Sequence, residues 1–120
     1  MPSGDYRNWA VWQKSMELVT ETYLLTKKFP AFEVHGLASQ MQRAAVSIPS
    51  NLAEGYRRMS SKDSLHFYKI SFGSAGELET QFEISRRLGY VLDKDLEKAL
   101  SLILEVLKLL TTMIFRNRNL

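Results

Sequence analysis

The chain has 120 residues, of which 45% are hydrophobic and none is cysteine, and its formal net charge is +3 at pH 7. This length suits one domain with a real hydrophobic core, so we expect neither wholesale disorder nor disulfide or thiolate chemistry. The first residues lack the features of a signal peptide, and the most apolar run contains Glu105 and Lys108, so we expect a cytoplasmic protein that binds no membrane.

The first predicted helix covers about residues 9–28, where apolar side chains recur every three to four positions. It ends before Pro30, because proline disfavours helical geometry at the residue that precedes it. The predicted inward stripe consists of Trp12, Met16, Val19 and Tyr23, flanked by Val11, Leu18 and Leu25.

The second predicted helix covers about residues 33–56 and contains Pro49. A proline inside a helix removes one hydrogen bond and clashes with the carbonyl one turn earlier. We therefore expect a kinked helix in which Ser47, Ser50 and Asn51 supply replacement hydrogen bonds. The alternative is two helices, with Ser47 capping the second. The predicted inward residues are Leu37, Met41, Ala44, Ala45, Ile48 and Leu52.

The third predicted helix covers about residues 61–88, after a capping Ser60 or Ser61. Gly73 and Gly76 lie in its middle, where each glycine costs up to about 1 kcal/mol relative to alanine. We expect these glycines to let the second and third helices pack closely, in preference to forming a binding loop. The predicted inward stripe is Leu65, Tyr68, Phe72, Ala75 and Phe82, and the small residues expected opposite the glycines are Ala44, Ala45 and Ser47.

Glu79 falls on the inward stripe of the third helix. A buried carboxylate needs a partner, and Arg43 is the best candidate across the hairpin. An equal alternative is that Glu79 borders the core and reaches water.

The fourth predicted helix covers about residues 93–116, and its apolar residues span an arc of roughly 220°, whereas a surface helix of a monomeric bundle needs about 100°. The predicted core residues are Leu96, Leu100, Ile103, Leu107, Leu110 and Ile114. A second face carries Leu102, Val106, Leu109 and Met113, which we predict to form the interface of a homo-oligomer. The alternative is that a neighbouring helix of the same chain covers this face.

Short connections between the helices favour an antiparallel up-down-up-down four-helix bundle, formed as one all-α domain over residues 1–120. Such a bundle collects a net charge of +3 at one end, and the opposite end is neutral. The charged residues at the basic end are Arg7, Arg57, Arg58, Lys62, Arg116 and Arg118, against Asp5, Glu54 and Asp63. In an oligomer with aligned subunits this end would form a basic ring suited to a phosphate backbone. In a monomer it is an ordinary solvated helix end.

Signals of catalysis are thin. A di-metal bundle needs two Glu-x-x-His motifs and two further inward carboxylates, whereas Asp63 and His66 make a single weak half-match. The sequence has no phosphate-binding glycine loop and no HExxH motif. We therefore predict no catalytic residue, no cofactor and no metal site, and we expect that the protein is not an enzyme.

Two blocks, "RAAVSIPSNLAEG" at residues 43–55 and "GSAGELETQ" at residues 73–81, resemble the 23S rRNA-intervening-sequence proteins, also called the S23 family. The resemblance extends over nearly the whole chain. It implies a bacterial or phage-derived cytoplasmic four-helix bundle, with homopentamers known in the family and no established catalytic residues. The accessory variability protein of diversity-generating retroelements, a basic pentamer that binds nucleic acid and a reverse transcriptase, is similar in fold.

These observations lead to two hypotheses. The first is a non-enzymatic oligomer, a pentamer by the resemblance, that binds structured RNA or DNA through its basic end. The predicted phosphate contacts are Arg57, Arg58, Lys62, Arg116 and Arg118. The second is a protein–protein adaptor, for example of a reverse transcriptase or a ribosome-linked factor, without direct contact to nucleic acid.

Overall fold

The computed structural model describes residues 2–118, with side chains up to residue 116. Within these residues the chain forms four α-helices and two short 3-10 turns, and no strand. The helices are α1 (Ala10–Thr26), α2 (Leu37–Tyr56), α3 (Ser61–Arg87) and α4 (Asp93–Arg118), and the 3-10 turns are Tyr6–Asn8 and Ala31–Glu33. The structure confirms the predicted all-α four-helix bundle.

Each helix packs against two neighbours, since α1 and α3 both contact α2 and α4. The antiparallel register of α2 and α3 is visible in their hydroxyl contacts. Ser47 and Ser74 share a hydrogen bond of 2.8 Å, and about two turns further along α2 the Gly55 carbonyl accepts a hydrogen bond of 2.7 Å from Ser64. Residues with higher numbers in α2 therefore contact residues with lower numbers in α3, as antiparallel helices require. The resulting particle measures 45 × 25 × 21 Å.

The second helix begins at Leu37, four positions later than predicted. The chain first forms the 3-10 turn Ala31–Glu33 and then a further turn that ends at Gly36. Gly36 occupies the N-cap position of α2, where glycine has no side chain that could accept a hydrogen bond. Glu33 supplies the missing acceptor, because its Oε1 accepts a hydrogen bond of 3.0 Å from the Leu37 N–H. The carboxylate that the sequence pattern placed inside the helix instead caps it from outside.

Pro49 lies inside one uninterrupted α2, so the alternative of two separate helices is wrong. Hydroxyl and amide side chains bind the backbone around the proline. The Asn51 side-chain amide donates to the Ser47 carbonyl at 2.8 Å, and Ser71 of α3 donates to the Ile48 carbonyl at 2.9 Å. Of the three side chains expected to bind the backbone, Asn51 does so, while the Ser47 hydroxyl bonds to Ser74 and Asn51 and the Ser50 side chain makes no hydrogen bond within the described residues. Ser71 was not expected from the sequence, and the kink itself stays a prediction.

The core face of α1 differs from the predicted stripe. Met16 and Tyr23 are each 42% exposed, whereas the flanking residues Val11, Leu18 and Leu25 are buried. Ser15 and Thr22 share the buried face, and each donates to a carbonyl one turn earlier, at 2.6 Å and 2.8 Å. Because these hydroxyls are satisfied within the helix, small polar residues can line the core.

The predicted close packing at Gly73 and Gly76 is wrong. A Cβ atom built on either glycine would meet no atom within 4 Å. The small-residue contact to α2 runs through the neighbouring Ser74. On the other flank of α3, Phe72 is 40% exposed and Glu79 is exposed, so the predicted inward stripe holds at Tyr68, Ala75 and Phe82 but not at Phe72.

Glu79 and Arg43 form no ion pair with each other in the described part of the chain, and both side chains are exposed. The structure therefore agrees with the alternative in which Glu79 reaches water.

The predicted outward face of α4 is mostly buried within the chain. The side chains of Leu102, Val106 and Met113 are only 6%, 0% and 4% exposed, and Leu109 is half-buried. The prediction that this face points away from the bundle is therefore wrong. The face packs towards α1, where an ion pair of 3.4 Å joins Lys14 to Glu105. The wide apolar arc of α4 covers two neighbouring helices, which leaves Leu100 and Leu104 exposed on the side of α3.

None of the helices within residues 2–118 has the length and apolarity that crossing a membrane requires. Across the same residues, no three His, Asp or Glu side chains come together as metal ligands would.

Candidate nucleic-acid interface

The turn between α2 and α3 places two arginines at one end of the bundle. The Arg57 backbone N–H closes the last turn of α2 on the carbonyls of Ala53 and Glu54, and the Arg58 N–H bonds to the Gly55 carbonyl. Both side chains are exposed at the carbonyl end of the helix, where a positive charge interacts favourably with the helix dipole.

Lys62 lies in the first turn of α3, directly after the cap of that helix. Ser60 is the capping residue, since its hydroxyl accepts a hydrogen bond of 3.2 Å from the Asp63 N–H. This settles the sequence alternative in favour of Ser60 over Ser61. The cap ends the turn within a few residues, so the exposed Lys62 lies at the same end of the bundle as the arginine pair.

The start of the chain packs against this turn through aromatic rings. The Tyr6 ring lies 5.3 Å from the Tyr56 ring and 5.5 Å from the Trp12 ring. The Arg57 guanidinium stacks over this cluster, 5.4 Å from the centre of the Tyr56 ring and 6.0 Å from that of Tyr6. Cation–π contacts of this kind orient an arginine without neutralising its charge.

Carboxylates neutralise two of the cations at this end. Arg7 makes two hydrogen bonds of 3.0 Å to Asp5, which, with the bond from the Arg7 backbone N–H, hold the pKa of the Asp5 carboxyl at about 2. Arg58 lies 3.4 Å from Glu54 and also stacks 4.5 Å from the centre of the Phe67 ring. Both arginines are therefore less available to a phosphate than the sequence suggested.

Arg116 lies where the end of α4 meets the start of α1. Together with Pro2, Ala10 and Met113, it lines a cavity of about 300 Å³. The structure thus places Arg116 at the same end as the chain start, and its side chain is exposed. Arg118 closes α4, and its side chain lies outside the described residues.

Three of the predicted phosphate-binding residues are exposed and have no ion-pair partner within 4 Å in the described part of the chain. They are Arg57, Lys62 and Arg116. At the opposite end, several cations are paired, as in the contacts of Lys28 with Asp95 at 3.8 Å and of Arg86 with Glu83 at 2.9 Å. Uncompensated positive charge is therefore greater at the basic end.

The sequence reasoning missed two residues that extend this surface. His66 and Lys69 line an open depression with Lys62, Asp63 and Leu65. Positions 62, 66 and 69 follow the helical spacing of one exposed face, which is the signal that could have found them. The charged surface therefore continues from the turn along the first two turns of α3.

Comparisons with known proteins agree with the fold. A solved structure of a protein of unknown function from the S23 ribosomal protein family of Bacteroides thetaiotaomicron is similar, with a TM-score of 0.78 and 24% identity over 88% of this chain and 98% of that one. No curated protein matches the chain. The profile of the family described as "23S rRNA-intervening sequence protein" matches residues 7–112. The chain therefore belongs to the 23S rRNA-intervening sequence protein family.

Proposed function

We propose that this chain is a non-enzymatic, self-associating cytoplasmic bundle that binds structured RNA or DNA through its basic end. The observation that carries the proposal is the set of exposed cations that have no carboxylate partner among the described residues, Arg57, Lys62 and Arg116. Contacts from lysine and arginine to phosphates are independent of sequence and release counterions, so binding weakens steeply with salt. The family name links related proteins to large-subunit ribosomal RNA genes, which makes an RNA hairpin a suitable probe.

The test compares the parent protein with the double variant Arg57→Ala and Arg58→Ala. In gel-shift titrations with an RNA hairpin and a DNA duplex of equal length, we expect similar losses of affinity for both. The slope of log affinity against log salt should fall by about one unit, because Arg57 loses its phosphate contact whereas Arg58 is already paired with Glu54. The matched control is Lys27→Ala with Lys94→Ala, which removes the same charge at the opposite end and should leave both quantities unchanged.

Unchanged affinity in the arginine variant would contradict this site. No binding by the parent protein at low salt would favour the adaptor hypothesis.

A specific observation supports that second candidate, because the end opposite the basic one exposes several apolar side chains on two adjacent loops. These are Phe32 at 76%, Val34 at 60%, Leu88 at 54% and Leu92 at 61% exposure.

A further inference from the structure

An aromatic depression lies between α3 and α4, next to the charged surface of α3. It has a volume of about 300 Å³ and is lined by Lys69, Phe72, Thr111, Ile114 and Phe115. Phe72 and Phe115 are 40% and 53% exposed, so both rings are open to solvent. The Thr111 hydroxyl already donates to the Leu107 carbonyl at 2.8 Å. The depression therefore presents aromatic surface with a single cation, Lys69, in its lining.

Lys69 connects this depression to the basic end of the bundle, because it also lines the depression that holds Lys62 and His66. Positions 62, 66, 69 and 72 follow the spacing of one helical face and span about 15 Å of α3. All four side chains are exposed, and we call them the α3 strip. The carboxylate of Asp63 lies in the first turn of α3, at the end of the strip away from Phe72.

The two lysines of the α3 strip have no ion-pair partner within 4 Å among the described residues. Planar groups lie beside them at the basic turn. The Phe67 ring is 5.2 Å from the His66 ring and 4.5 Å from the Arg58 guanidinium. Positive charges and planar groups are therefore interleaved along this surface, from the turn to Phe72.

This interleaving suits a nucleic-acid strand whose bases are unpaired. Aromatic side chains stack on the face of any base, and lysines beside them bind the phosphates of the same strand. In a duplex each base is stacked between its neighbours, so a helix surface such as this one reaches chiefly the phosphates and the groove edges. Exposed rings add affinity only where a base is free to leave the stack.

We propose that Phe72 and Phe115 stack on unpaired bases of an RNA or DNA strand whose phosphates are bound by Lys62 and Lys69. This inference rests on the proposed function and names its substrate class, which is a single strand or an unpaired loop. The charge complementarity of the lysines selects a polyanion, and the two exposed rings select one with accessible bases. A fully paired duplex would use the cations of the basic end but not the rings.

The first test removes both rings and no charge, in the variant Phe72→Leu with Phe115→Leu. Leucine favours a helix at least as strongly as phenylalanine, so we expect the fold to be kept, which circular dichroism checks. The probes are a fluorescent single strand, the same strand with abasic sites at its centre, and a blunt duplex of the same length, each as RNA and as DNA. The parent should bind the complete single strand more tightly than the abasic one.

The double variant should bind the complete single strand about 10–100-fold more weakly, because base stacking is lost. Its affinity for the abasic strand and for the duplex should equal that of the parent. The salt slope should stay the same, because the phosphate contacts remain. Phe32→Leu is the matched control, since it removes an exposed ring at the opposite end of the bundle and should change none of these affinities.

A double variant with full affinity for the single strand would overturn the stacking, as would a parent that binds complete and abasic strands equally. In both cases nucleic-acid binding by the basic end would stand. An equal loss for single strand and duplex would also overturn it, because the rings would then not act through bases. A parent that binds no probe at low salt would overturn the inference together with the proposed function. If the double variant loses helicity, the two single variants replace it.

The second test separates stacking from charge. A single strand with 2-aminopurine at its centre reports stacking, because the fluorescence of this base falls when a ring covers it. At saturating protein the parent should quench this signal more strongly than Phe72→Leu with Phe115→Leu does. Lys69→Ala should lower the salt slope by about 0.7 and keep the quenching at saturation. Equal quenching by the parent and the ring variant would contradict the proposal.

Discussion

At the scale of single residues, Gly55 is the glycine that the packing requires. A Cβ atom at this position would lie 2.5 Å from the Tyr68 ring and 3.1 Å from the Ser64 carbonyl oxygen. Tyr68 is fully buried and cannot move aside, and the Ser64 hydroxyl already donates to the Gly55 carbonyl. The crossing of α2 and α3 next to the basic turn therefore depends on a missing side chain.

Replacing Gly55 by alanine should destabilise the fold by roughly 1–3 kcal/mol, because overpacking outweighs the gain in helix propensity of about 1 kcal/mol. Gly76→Ala is the matched control, since a Cβ there meets no atom within 4 Å. It should stabilise the monomeric fold by up to about 1 kcal/mol. Urea unfolding followed by circular dichroism measures both changes, and a Gly55→Ala protein as stable as the parent would contradict this account.

The sequence analysis placed the close glycine packing at Gly73 and Gly76, which is wrong, and made no prediction for Gly55. Whether a helical glycine faces a neighbour depends on which large side chain lies opposite, and Tyr68 is thirteen positions away from Gly55 in the chain. The prediction of which arginines are free to contact phosphate failed for a similar reason. The sequence located the basic end, but the pairing of Arg7 with Asp5 and of Arg58 with Glu54 depends on side-chain geometry.

At the scale of helices, the periodic pattern predicted the number of elements and their approximate spans, while the rotation of α1 and α4 was wrong. The predicted stripe of α1 did not include Ser15 and Thr22, whose hydroxyls are satisfied within the helix and lie in the core. For α4, the broad apolar arc could have covered either a second subunit or a second helix. The structure shows α1 covering it in the region of Leu102 and Val106.

The start of α2 gives a prediction at this scale. Glu33 accepts hydrogen bonds from the Leu37 N–H at 3.0 Å and from the Tyr90 hydroxyl at 2.8 Å, and these bonds lower the pKa of Glu33. Glu33→Ala should lower Tm by a few degrees, because the helix loses its cap and the contact to the α3–α4 loop. Tyr90→Phe removes one of the two bonds and should have a smaller effect.

The effect should depend on pH. Since the folded pKa of Glu33 lies below its ordinary value, its stabilising effect is complete well above that value and is lost as the pH falls through the folded pKa. The Tm difference between the parent and Glu33→Ala should therefore shrink as the pH drops from 7 towards the acid range. A difference that stays constant over this range would show that the carboxylate charge does not contribute.

At the scale of the whole molecule, the two ends of the bundle, at either end of its 45 Å axis, differ in character. One end carries Arg57, Lys62 and Arg116 without carboxylate partners in the described residues, and the other exposes apolar loop residues such as Phe32 and Leu92. A net charge of +3 per chain is modest for binding a polyanion. Lateral contacts between copies would place several basic ends side by side and multiply their attraction for one strand.

Loss of self-association should therefore weaken nucleic-acid binding, whereas loss of the basic residues should leave the mass of the protein unchanged. Leu104 is an exposed apolar residue of α4, where an aspartate would oppose a lateral contact between copies. It lies about 18 Å along the helix from Arg116, so Leu104→Asp removes no direct phosphate contact at the basic end. If adjacent copies bind one RNA together, this variant should nevertheless bind a long RNA hairpin about 10–100-fold more weakly, because avidity is lost. Leu92→Asp, the same change at an exposed position in the loop between α3 and α4, is the control. The variant Arg57→Ala with Arg58→Ala should lose affinity without a change in mass, and a Leu104→Asp monomer with full affinity would show that single chains bind independently.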